Sequence, residues 1–310
     1  MHDASENESD GTPVPALGGE QSTLPRILVL TLFSGENELS ECKASVQAQT
    51  GVDVEHLIFS HLPNIQAHNS IYRTIMERCD DFNLFLKLDA DMVLRRTSAL
   101  SEVADFFGRH PDVDHLFHDV FDHFTGLPMG GVHVFSGRCT WTLSDDEDLF
   151  VDPSPSIEGA KASSPESLRI FVDHAPNPSP FQAYHFGYHR ALKAVQHGRK
   201  RFNATRSLAQ IETLTNLQKH YEKTSRLSLA YALAGVNRFF IDGNVDIPKM
   251  KAEGRVAESF ARIANENAEV IHRAVSQTRL RRKLALFRSY IKAQLYLVKS
   301  SVHQIFFLMI

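Results

Sequence analysis

The sequence predicts an α/β fold, a three-layer sandwich around a mainly parallel sheet, with a helical segment at the C-terminus. Three observations carry this. Short apolar runs of strand length alternate with amphipathic stretches over residues 26–117. The connections between them are short, as crossover units in a parallel sheet require. The chain then closes on one apolar stripe that steps by three and four from Leu280 to Met309.

Residues 1–23 are rich in Ser, Gly, Pro, Asp and Glu, lack an apolar period, and read as a disordered acidic tail. They show no basic region followed by an apolar run, so no secretory signal is expected there. Residues 27–33 form a buried strand pattern. Leu39, Cys42 and Val46 then repeat at helical spacing, and Gly51 is placed to end that helix. Residues 54–59 are a second strand, and Ile71, Ile75 and Met76 mark a helix over 67–79. Residues 82–88 are a third strand, and Leu100, Val103 and Phe107 face inward from a helix over 97–107. Residues 113–117 suit a fourth strand. Beyond residue 119 the pattern loosens. Residues 129–135 and 140–143 look like strands, 153–181 form a long irregular segment, and 184–235 read as helical. The expected organisation is a tail over 1–23, one α/β domain over 24–250 and a basic amphipathic segment over 251–310.

Composition bounds the function. The 310 residues are 43% hydrophobic, 23% charged and 9% aromatic, which is ordinary globular usage and excludes a disordered or fibrous chain. A formal net charge of −4 argues against nucleic acid as a partner. Three scattered cysteines suit a reducing, cytoplasmic setting rather than a disulfide framework. Charge is uneven: residues 270–310 hold eight basic side chains and no acid. Removing those eight positive charges leaves −12 on residues 1–269.

The sharpest chemical feature is FLKLDADMVL, residues 85–94. An apolar strand runs directly into Asp89-Ala90-Asp91, a DXD pattern. Two carboxylates at the carboxyl end of a strand point into the crevice where open α/β sheets bind ligands. They repel each other unless a cation joins them. Oxygen ligands suit Mg²⁺ or Mn²⁺, and such an ion in turn holds a diphosphate.

Three blocks carry a resemblance. SGENELSECKASVQAQT follows the first strand. AHNSIYRTIMERCDDFNLFLKLDADMVL contains the acidic pair, and GGVHVFSGR follows later. Together they resemble glycosyltransferase family 2, whose members have the nucleotide-sugar-binding GT-A fold, over roughly residues 26–140. The resemblance implies transfer of a sugar from a nucleotide-diphosphate sugar to a glycan or lipid-linked acceptor, with polysaccharide biosynthesis as the setting. It implies that Asp89 contacts the nucleotide or metal and that Asp91 ligates the metal. Two departures stand out. The acid that the family usually carries after its second strand is replaced by SHLPN, with Ser60, His61 and Asn64, which leaves the nucleotide base open. The family's "ED" acceptor motif is also absent in clean form.

Residues 185–190, HFGYHR, place two imidazoles around Gly187 beside a cation. His185 is the expected third metal ligand, with His174 second choice. Gly187 would allow close approach of the backbone to a ligand. Arg190 and Lys193 would offset diphosphate charge as the leaving group departs. An inverting reaction needs a base within reach of the acceptor hydroxyl. Asp148, beside the apolar run 149–151, is the choice, with Asp173 and Asp119 as alternatives.

Two other readings are open. If residues 118–123 were helical, His118 would face Asp122 and Asp119 would face His123. That is a ligand set suited to a metal-dependent hydrolase. A catalytically inactive binding module is the other. The C-terminal stripe is flanked by cations, so the final helix can lie at the inner face of an anionic membrane or pack on protein.

Overall fold

The computed structural model describes residues 24–145, 154–195, 203–241 and 255–308, with side chains through residue 297. The expected acidic tail, and Asp148 with its neighbours, lie outside the described residues.

Strands β1 (Arg26–Phe33), β2 (Asp53–Ser60) and β3 (Leu84–Asp89) form a parallel trio in the order β2-β1-β3. Both faces of β1 are covered, which is why it reads as a continuous apolar run. Ile27 and Val29 share a core with Cys42 and Val46 of α1 (Leu39–Gln47) and with Leu100 and Val103 of α3 (Ala99–Arg109). Leu28 and Leu30 pack on the other side, against Ile71, Tyr72 and Ile75 of α2 (Asn64–Glu77). Three layers result.

The sheet is mixed rather than mainly parallel throughout. β3 is followed after two residues by β4 (Met92–Leu94), which lies at the far edge. Between them come β6 (Leu127–Ser136), β5 (Val113–Asp122) and β8 (Val172–His174), giving β2-β1-β3-β6-β5-β8-β4. β6 is antiparallel to both β3 and β5, β4 is antiparallel to β8, and β7 (Ala160–Ser163) joins β5 in parallel.

Residues 118–122 extend β5, so the helical ligand set behind the hydrolase reading does not form. A register shift between His118 and Asp119 breaks simple alternation there. His118 stacks on Phe171 at 5.5 Å instead of facing a metal partner. Residues 140–143 contribute one isolated bridge, Thr140 to Ser156, rather than a strand.

The helices α4 (Pro180–Val195), α5 (Ala204–Thr224), α6 (Leu227–Ile241), α7 (Val256–Ala261), α8 (Ala268–Gln277) and α9 (Arg279–Leu308) build a second core. Residue 250 lies outside the described residues, and elements on both sides of it share this core. The two glycines of the α4–α6 crossing set its closeness. A Cβ on Gly187 would collide with the Ala232 carbonyl oxygen, and one on Gly235 with the Tyr184 carbonyl oxygen. Gly187 therefore serves helix packing, not the approach of a ligand.

Helix α9 docks through Arg282, Leu286 and Ala293, which are buried. The buried Arg282 guanidinium donates to Gln218 of α5 and, at 2.5 Å, to Asn237 of α6.

Candidate functional site

The order β2-β1-β3 places a topological switch point between β1 and β3, since the chain leaves β1 on one side and returns on the other. Asp89 ends β3 there. The amide of Ala90 donates to the Leu32 carbonyl at 3.1 Å and holds the two-residue link against β1. Beside this point lies a cleft of about 540 Å³, floored by β3, β5 and β6 and walled by α2, α4 and α5.

Asp89 lines the cleft and is 41% exposed. Its carboxylate meets the buried ammonium of Lys87 at 3.2 Å. A lysine inside the apolar run FLKLD is the sequence signal that this strand serves a charged site, and sequence reasoning passed over it. Lys87, Lys161, Arg190, Lys193 and Arg206 all line the cleft, with Asp89 the one acid among the described lining residues. The described lining is therefore cationic in a chain whose net charge is negative.

Asp91 adjoins the cleft through His174. Its backbone carbonyl accepts from the Ala175 amide at 2.8 Å, which ties the link to the end of β8. Its Oδ2 lies 3.4 Å from His174 Nε2. Its Oδ1 is buried and, among the described residues, has no hydrogen-bond partner. His174 Nδ1 in turn meets Asp122 Oδ1 at 2.7 Å. Asp122 Oδ2 accepts from the Thr125 amide at 2.8 Å and its hydroxyl at 2.6 Å. An acid–imidazole–acid chain thus runs inward from the switch point.

Burial alone would depress the His174 pKa, but the two flanking carboxylates outweigh it and hold the imidazole up at about 10. Burial alone would raise Asp91 and Asp122, yet His174 holds both below the usual carboxylate range. Burial lowers the Arg190 guanidinium against the pull of Asp122 and Asp91. Arg190 stacks over Phe186 at 4.9 Å and donates to Gln210 Oε1 at 3.1 Å.

The imidazole at Asp91 is His174, not His185. His185 stacks with Phe181 and His189 along α4, outside the cleft lining. Asp173, an alternative base, is engaged by His123 at 3.2 Å and Arg95 at 3.5 Å. Asp119 sits opposite Gly130 in the β5–β6 ladder. Glu38, fully buried, accepts from the Asn177 amide and the Gln182 side chain, and burial pushes its carboxyl up. It ties the start of α1 to Asn177 and to the first turn of α4.

The donors at hand fit a divalent metal. Asp91 offers an orphaned carboxylate oxygen, and Asp122 fixes the far nitrogen of His174 so that Nε2 is turned toward Asp91. Among the described residues no group of three or more His, Cys, Asp or Glu could hold a metal ion, so Asp91 and His174 would be two ligands of a shell completed from elsewhere.

No family model matches this chain, and no curated protein matches it. Among the solved structures matched is the mannosyltransferase PcManGT from Pyrobaculum calidifontis in complex with GDP-Man and Mn²⁺. It is 11% identical, with a TM-score of 0.35 and 88% of each chain covered. A likeness of that degree carries no argument.

Proposed function

We propose that the chain is a glycosyltransferase that moves a sugar from a nucleotide-diphosphate sugar to a glycan or lipid-linked acceptor. The observation that carries the reading is the meeting of Asp91 and His174 beside a cationic cleft at the β1–β3 switch point. A nucleotide diphosphate with Mn²⁺ or Mg²⁺ suits that combination of charges.

In this reading Asp91 and His174 hold the metal, and Asp89 binds the nucleotide side. The metal would neutralise diphosphate charge and aid departure of the leaving group. Lys87 keeps Asp89 in place, and Asp122 holds His174 Nδ1 so that Nε2 would become a ligand as the metal displaces the proton it carries in the metal-free protein. Arg190 and Lys193 face the departing diphosphate across the cleft. Asp148 is the proposed base for an inverting transfer. It would take the acceptor hydroxyl proton as that oxygen attacks the anomeric carbon.

The test is calorimetric binding of UDP, GDP, CDP and dTDP, each with Mn²⁺ or with EDTA. It is run on the wild type and on Asp91→Ala, Asp122→Asn and His185→Ala. Metal-dependent binding of one nucleotide is expected. Asp91→Ala should cost several kcal/mol of metal-assisted binding, and Asp122→Asn about 10–100-fold in metal affinity. His185→Ala should bind as the wild type does. No binding of any nucleotide by the folded wild type overturns the proposal. Binding with turnover absent for every acceptor class favours the inactive binding module.

A further inference from the structure

Helix α9 turns its apolar stripe to solvent. Leu280, Leu284, Phe287, Ile291 and Leu295 are 69%, 49%, 60%, 40% and 65% exposed. Scattered apolar side chains on a surface are ordinary, but a contiguous ridge of five along one helix is not. The opposite face is already used, since Arg282, Leu286 and Ala293 are buried against the helical core. Among the described residues the stripe is therefore not the face by which α9 packs on its own chain.

The borders of the stripe are cationic. At about 100° per residue, Arg281, Arg288 and Lys292 run along one side and Lys283 along the other. All four are exposed, and no acid occurs from Val270 to Ile310. We infer that α9 lies in the plane of an anionic lipid surface, with the stripe in the acyl boundary and the flanking cations at the headgroup phosphates. Among the described residues no helix is long and apolar enough to cross a membrane, so the attachment is peripheral.

Charge separates the lipid from a second copy of the chain. Two stripes packed together would bring the cations of both copies side by side with no acid on either helix to answer them. An anionic leaflet answers all of them. Residues 1–269, at −12, are repelled by the same surface, which leaves α9 as the contact.

The test is flotation of the full chain with vesicles of phosphatidylcholine alone, or of equal parts phosphatidylcholine and phosphatidylglycerol. Binding to the mixed vesicles, weakened by added salt, is expected. Arg288→Gln and Lys292→Gln should each weaken it about fivefold. Leu284→Ser and Phe287→Ser should weaken it as well. All four side chains are exposed, so an unchanged unfolding midpoint verifies that the variants are folded. Equal retention on both vesicle types, no retention on either, or a dimer by light scattering that Phe287→Ser dissociates overturns the inference. The readout uses no nucleotide, so it stands or falls independently of glycosyl transfer.

Discussion

His174 is the residue on which the site turns. Its imidazole is buried between two carboxylates, and its charge is what makes burying both of them tolerable. The sign of the resulting pH dependence is fixed. The folded pKa of about 10 lies above the ordinary histidine value of about 6.5, so the folded state holds a proton that the unfolded chain releases. Stability from this group is complete below about pH 6.5 and lost as pH rises toward 10. Metal-free protein should show its unfolding midpoint falling across that window, and His174→Asn should flatten the slope. A slope unchanged in His174→Asn would place the titration elsewhere. The acidic pair at 89 and 91 was legible because two like charges ending an apolar strand need a reason. Their partner was not legible to the same degree. His174 competes with many histidines for the role, and only the pairing of β8 with β4 and β5 selects it.

At the scale of elements, the strands through residue 117 and the helices between them follow from apolar period alone. β1, β3 and the three helices bury residues that the pattern marks, whereas β2 is only half-buried along its length. The pattern fails where burial is polar. Asp114, His115, His118 and Asp122 are all buried on β5, so a core strand carries the composition of a surface helix. The α4–α6 crossing is the opposite case, where small residues matter by their lack of a side chain. Gly187→Ala should force α4 away from Ala232 and destabilise the fold by about 1–3 kcal/mol, read as a lower denaturation midpoint. A midpoint equal to wild type would show that the crossing has slack.

For the whole molecule, the final helix is both a wall and an outer surface. Over the described side chains its stripe runs unbroken from Leu280 to Leu295, but sequence period cannot say which side of a helix meets its own chain. Arg282 answers that. It lies between the cations of the tail, yet it is buried and bonded to α5 and α6, and burial pulls its guanidinium down to about 10. Arg282→Ala would leave the Gln218 and Asn237 acceptors short of a donor, at a cost of about 2–4 kcal/mol. The expected outcome is a lower unfolding temperature with faster amide exchange in α9 and in the facing turns of α5. Faster exchange confined to α9 would mean that the helix is an appendage rather than part of the core.

Of the two residues proposed for the metal, His174 ends β8 and Asp91 stands directly before β4, the strand that pairs with it. Met92 pairs with His174 in the β4–β8 ladder, and the Asp91 carbonyl accepts from Ala175 one step beyond it. An ion drawn in by these side chains pulls on a hydrogen-bonded ribbon, not on a loop that must first be gathered. Capture should then proceed with little change in heat capacity and at a rate set by loss of water from the ion. The site would act as a socket, already shaped before its occupant arrives.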